Sequence, residues 1–174
     1  MKKLKVGVIR GGISSEREVS LKSGEEIIKE LNKEKYDVKD IILNDKKDIF
    51  TVLEGLEFVF LGLHGKFGED GKVQAILETM DIPYTGCGML SSALCMDKDI
   101  TKHIIKNYDI RTAKWFTVRT GEDYSYEEII EKLGEKMIAK PNSGGSSVGV
   151  HFVNNKNELD EALEDIFKID NEAI

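Results

Sequence analysis

The sequence predicts an α/β protein built on a doubly wound parallel sheet. Three observations carry this. Short apolar runs alternate with stretches of helical spacing through the first half of the chain. The third run, EFVFLGL at residues 57–63, is apolar nearly throughout, as a strand buried on both faces must be. Glycine-rich turns stand at the carboxyl ends of these runs, the edge at which ligands bind in such sheets.

Taken in order, residues 4–9 form the first strand and end on Gly11-Gly12, and residues 15–31 follow with helical spacing through Val19, Ile27, Ile28 and Leu31. Ser15 and Glu18 make an S-x-x-E capping box, so the helix is expected to start where the glycine turn stops. Residues 36–43 are the second strand and 57–63 the third, with His64 at its end. The turn HGKFGEDG carries more glycine, acid and histidine than a plain connection needs. A helix over 72–80 and a Pro83-Tyr-Thr-Gly turn come next. Gly86-Cys-Gly88 is no dinucleotide fingerprint, because the third glycine position holds Ser91. Residues 91–107 are helical in two pieces meeting at 96–98. A domain boundary is expected at 108–113, followed by a strand at 115–118, a helix at 126–133, a strand at 137–140, a return strand, and a helix at 157–167.

Composition sets the class. At 174 residues, 40% hydrophobic and 33% charged, the chain can bury one good core or two small ones. A net charge of −7 argues against nucleic acid or an anionic membrane as main partner, while leaving room for a local basic pocket. No stretch is apolar enough to span a bilayer, and the run behind the basic start breaks at Arg10 too early for a signal-peptide core. Cys87 and Cys95 lack metal-ligand or disulfide spacing, which fits a reducing cytoplasm.

The stretch KPNSGGSSVGV at residues 140–150, set between apolar runs at 137–139 and 148–153, reads as a hairpin gripping an anion. Its glycines let successive N–H groups turn inward, Ser146 and Ser147 add hydroxyls, and Lys140 adds charge at the mouth. Converging donors of this kind suit a polyphosphate. It is not a Walker loop, since the lysine precedes the glycines and a β run follows. A flexible surface hairpin is the plain alternative. Plain alternatives also stand for Glu16 (a first-turn acid), His64 (a strand-end histidine bonded to a carbonyl) and Asp97-Lys98 (a solvated helix start). Glu69 and Asp70 read as turn residues rather than metal ligands.

Four stretches together, GGISSEREVS (11–20), LHGKFGEDG (63–71), MDKDITK (96–102) and KPNSGGSSVGV (140–150), resemble the D-alanine–D-alanine ligases of the ATP-grasp superfamily. YTGCGMLSSAL at 84–94 extends the resemblance along the chain. It implies a Rossmann-like N-terminal domain over 1–110 and the first, incomplete part of an ATP-grasp α+β domain over 111–174. It also implies an enzyme of peptidoglycan precursor synthesis that joins two D-alanines through a D-alanyl phosphate, using ATP. By that similarity Glu16 lies near the first ammonium and is hydrogen-bonded towards Ser146, which helps orient the second substrate. Val19 lines the first pocket and His64 sits beside the first carboxylate. Lys98 and Lys140 contact nucleotide phosphates, with Gly145, Ser146, Ser147 and Val148 closing over them. A homodimer is implied for the full-length protein.

The resemblance runs out at the chain's end, where the family continues into the second half of the ATP-grasp, its magnesium-binding acids and a tyrosine-bearing loop. Ligands to Mg²⁺ or Mn²⁺ are accordingly expected outside these residues. The 174-residue chain alone is expected to be inactive and to expose apolar surface over 115–167. A D-lactate or D-serine ligase, and a non-catalytic binding module retaining the nucleotide loop, are the alternatives.

Overall fold

The computed structural model describes residues 2–174, which fall into two compact units, one ending at Ala93 and the other running from Leu94 to Ile174. In the first unit, β1 (Leu4–Gly11) lies between β2 (Tyr36–Leu43) and β3 (Phe58–Leu61), all parallel. Leu4 pairs with Tyr36 and Val6 with Phe58, so β1 is central and its Val6, Val8 and Ile9 are buried. The turn at Pro83-Tyr-Thr contributes a fourth edge: Val59 N–H donates to Pro83 O, and Thr85 N–H donates to Val59 O. Helix α1 (Arg17–Glu30) crosses from β1 to β2; a short 3-10 turn (Lys46–Asp48) and α2 (Ile49–Val52) lead to β3; α3 (Lys72–Thr79) follows. The core is mostly aliphatic, with Ile9, Leu43, Ile49, Val59, Val73 and Leu77 within it beside Phe67.

Helix α4 (Met89–Met96) carries the chain into the second unit, where α5 (Lys98–Asn107) begins. Asp97 caps α5 by accepting from Ile100 N–H, which is why the helical stretch breaks there. A hairpin of β5 (Met137–Ala139) and β6 (His151–Val153) is antiparallel, as are β4 (Val118–Arg119) and β7 (Glu172–Ala173). Reciprocal bonds between Lys140 and Ile174, and one from Asn142 N–H to Glu172 O, join the chain just beyond β5 to β7. Helices α6 (Tyr126–Leu133) and α7 (Lys156–Ile166) pack Ile129, Leu159, Leu163 and Ile166 with Val118, Ala139 and Val153.

Three local expectations are corrected. The Ser15–Glu18 capping box does not form: Glu16 is the N-cap residue with no side-chain cap bond, and Ser14 Oγ accepts from Glu16 N–H instead. The strand expected at 115–118 shrinks to β4, because β7 offers partners only to Val118 and Arg119, while the Trp115 and Thr117 side chains turn to Asp99. The return strand starts at His151, since Ser146, Ser147 and Gly149 hold positive φ angles incompatible with a ladder.

Candidate functional site

In the first unit the site residues gather at the carboxyl ends of β1 and β3. Gly11 and Gly12, with φ of 86° and 84°, turn the chain sharply off β1. Ser20, fully buried on α1, accepts from Gly11 N–H at 2.9 Å and donates to Gly62 O at 2.6 Å, tying the helix to both strand ends. Arg17 donates to Gly12 O and Leu43 O, stitching in the end of β2. Ser14 Oγ donates to His64 O at 2.7 Å, so the turn bearing Glu16 is fastened to the turn bearing His64. Glu16 sits against Gly65, where a Cβ would come within 2.7 Å of its carboxylate oxygen. The His64 ring lies 3.1 Å from Ser23 Oγ through Nε2 and 3.8 Å from Glu69 through Nδ1. Val19 is about half exposed on the same helix.

Glu69 and Asp70 do act as turn residues, accepting from Gly65 N–H at 2.7 Å and Phe67 N–H at 2.9 Å. Burial raises the Asp70 carboxyl, but Lys72 at 2.6 Å and the amides of Phe67 and Lys72 more than offset it and hold it below the usual range.

The second unit carries the anion loop. Ser146 and Ser147 both adopt left-handed backbone angles, φ 57° and 61°, and residues 145–148 are exposed. The base of the loop is held firmly by comparison. Lys98 Nζ donates to Pro141 O, Asn142 O and Gly144 O at 3.1, 3.0 and 2.8 Å, which uses all three of its protons. Burial and the nearby Lys140 charge together lower its pKa. Ser143 N–H donates to Asp170 at 2.7 Å. Asn142 is 1% exposed and takes five hydrogen bonds through its backbone and side chain.

Lys140 lies on the wall of a 620 Å³ cleft, with Lys102, Trp115, Lys136, Ile138 and Phe152 among the residues around it. Basic side chains over an apolar floor can take an anion joined to a flat ring. Asp99 braces one side, accepting from Trp115 Nε1 at 2.6 Å and Thr117 Oγ1 at 2.8 Å; burial opposes its charge, yet these bonds leave its pKa lowered.

The structure thus groups Glu16, Val19 and His64 in one unit, and Lys98, Lys140 and residues 145–148 in the other. Sequence reasoning missed Ser14, Arg17, Ser20, Asp99 and Asn142, whose partners are mostly remote in sequence. The Pro-Asn pair ahead of the glycines was the only local signal for Asn142. Among the described residues no group of three or more His, Cys, Asp or Glu side chains converges on a metal position. No helix of those residues is long and apolar enough to cross a membrane.

A parallel sheet with glycine turns at its carboxyl edge, followed by an antiparallel hairpin tipped with a lysine-flanked glycine loop, defines the ATP-grasp ligase class. A family model described as the D-ala D-ala ligase N-terminus matches residues 5–55 and 44–87, and one for the D-ala D-ala ligase C-terminus matches 104–174. D-alanine–D-alanine ligase B of Clostridium perfringens is 54% identical over 171 residues, 98% of this chain and 56% of that protein. Two crystal structures of the Bacillus anthracis D-alanine–D-alanine ligase superpose with TM-scores of 0.91 and, for its ATP complex, 0.89. They are 46% and 45% identical, and each match covers 98% of this chain and 56% or 57% of theirs. The chain belongs to the D-alanine–D-alanine ligase family, and it spans about half the length of the curated relatives it matches.

Proposed function

We propose that this chain supplies the first-substrate side and one wall of the nucleotide site of an ATP-dependent ligase that joins two D-alanines for peptidoglycan precursor synthesis. The observation that carries the reading is the loop at 143–149: a lysine-anchored base, an exposed tip with consecutive left-handed serines, and an adjoining cleft with basic walls. In the proposed reaction the first carboxylate takes the γ-phosphoryl group and ADP departs. The amine of the second D-alanine then attacks the acyl phosphate, releasing phosphate and the dipeptide.

Glu16 pairs with the first ammonium, Val19 lines that pocket, and His64 faces the carboxylate being phosphorylated. Residues 145–148 offer donors to phosphoryl oxygens, where charge collects in the transition state, and Lys140 adds a cation. Ser146 also helps orient the second substrate. Lys98, whose three protons go to loop carbonyls, would contact a nucleotide phosphate by giving up one of those bonds. The functional division proposed is a first-D-alanine side over 1–110 and a nucleotide-loop portion over 111–174, to which Lys98 contributes from α5. A divalent ion, Mg²⁺ or Mn²⁺, accompanies ATP with ligands other than these residues. A cytoplasmic homodimer is proposed for the full-length protein.

The test is D-alanine-dependent ADP release by the longest natural reading frame that contains this chain, beside the 174 residues themselves, with L-alanine as control. Response to D-alanine alone supports the reading. Silence in the longer protein would remove Glu16 and His64 from a D-alanine pocket.

A further inference from the structure

We infer that Asn142 is a positioning residue that locks the base of the phosphate loop to the start of α5, so that the loop and Lys98 are held as one body. Its side chain spans two elements. Oδ1 accepts from Asp99 N–H at 2.8 Å, in the first turn of α5, and Nδ2 donates to Glu172 Oε2 at 2.8 Å, on β7. Its backbone repeats both links: N–H donates to Glu172 O, and O accepts from Lys98 N–H and Nζ. The amide accepts through one atom and donates through another, as its two partners require. A carboxylate would face Glu172 with no proton to share, and an alanine would leave the half-buried Asp99 amide without its acceptor.

The same link reaches further on each side. Asp99, whose amide Asn142 holds, also fixes Trp115 and Thr117 by its carboxylate, and Glu172 is paired with Arg119 at 2.7 Å. Lys98 itself grips Pro141, Asn142 and Gly144, the residues on either side of the amide. Beyond Gly144 the chain becomes exposed, and Val148 N–H to Gly145 O at 3.4 Å is a long contact. Asn142 therefore marks the boundary between a fixed base and an open tip.

The activity arm of the test rests on the ligase reading, and a second arm does not. Amide exchange on the 174-residue chain is expected to show Asp99 exchanging about tenfold faster in N142A, the effect of losing one half-buried hydrogen bond, with β6 amides unmoved. N142D keeps an acceptor for Asp99 N–H but sets two carboxylates face to face at Glu172, so whatever Asp99 protection is lost comes from that repulsion. N142D/E172Q, in which the amide at position 172 donates to the carboxylate at position 142, returns it. In the longest natural reading frame, N142A raises the KM for ATP about tenfold, on the same ground, and leaves the KM for D-alanine unchanged. N142D/E172Q recovers most of that loss. A residue that only fills space would lower kcat through lost folded protein and move neither KM. Unchanged exchange at Asp99, or no recovery in the double variant, overturns the inference. If unmodified protein releases no ADP with D-alanine, the ligase reading fails and the exchange arm alone decides this one.

Discussion

Ser20 shows how much one small side chain can hold. Its hydroxyl is fully buried and serves the Gly11 amide and the Gly62 carbonyl, so its removal strands one donor and one acceptor away from water. Ser20→Ala is expected to destabilise the first unit by roughly 2–4 kcal/mol, two unpaired buried groups at the usual penalty. Urea unfolding measures this; a change below about 0.5 kcal/mol, the size of an ordinary surface substitution, would mean that water takes both bonds. Asp70 makes a pH-dependent counterpart. Its carboxyl is lowered by Lys72 and two amides against the pull of burial, so its stabilisation of the His64 turn is present above the ordinary aspartate range and fades only as pH falls through the lowered value. Protection of the Phe67 amide is therefore expected to survive at about pH 4, the ordinary aspartate midpoint, and to be lost further into acid. In Asp70→Asn that acid dependence disappears, and its persistence would assign the titration elsewhere.

At the scale of elements, the loop at 143–149 divides into glycines that matter for shape and glycines that do not. Gly149 has φ of 69°, and a Cβ there would lie 3.0 Å from both Pro141 and Ile169 side-chain atoms. At Gly145 an added Cβ meets nothing within 4 Å, and its φ is ordinary. Gly149→Ala should cost roughly 1–2 kcal/mol for the left-handed backbone, and Gly145→Ala less than about 0.5 kcal/mol. Thermal unfolding of the two variants checks this, and equal effects would place the strain elsewhere. The elements most legible in sequence were those whose signals are local. β2 and α6 fall on the expected residues because their signals lie within or next to the segment; α6 is amphipathic, and the structure adds a cap, Ser125 accepting from Glu128 N–H. β7 was invisible, as two residues become a strand only by finding Val118 and Arg119 far back in the chain. The 3-10 turn and α2 were missed because elements of three and four residues are too short to show a hydrophobic period, although Asp45 and Asp48 do form a capping box. The site divides likewise: Glu16, His64 and the glycine loop announce themselves by turn chemistry, whereas Asn142 and Asp99 acquire their roles through partners remote in sequence.

At the scale of the molecule, the two units carry separate aliphatic cores, one around Ile9, Val59 and Leu77 and the other around Val153, Leu163 and Ile166. A chain with two cores need not melt as one. Trp115, the only tryptophan, lies in the second unit, hydrogen-bonded to Asp99 and edge-on to His103 at 5.0 Å, so its fluorescence reports that unit alone. Leu77 and Ile166 are each fully buried, and truncating either to alanine should cost roughly 2–5 kcal/mol, the transfer and cavity terms together. Leu77→Ala is then expected to shift the circular-dichroism unfolding curve while leaving the Trp115 transition in place, and Ile166→Ala to shift the Trp115 transition directly. If both variants move the fluorescence midpoint equally, the cores are thermodynamically one. Strain or loss in the loop would then be felt at the Glu16 and His64 turns as well, and the stability of the two proposed half-sites could not be treated separately.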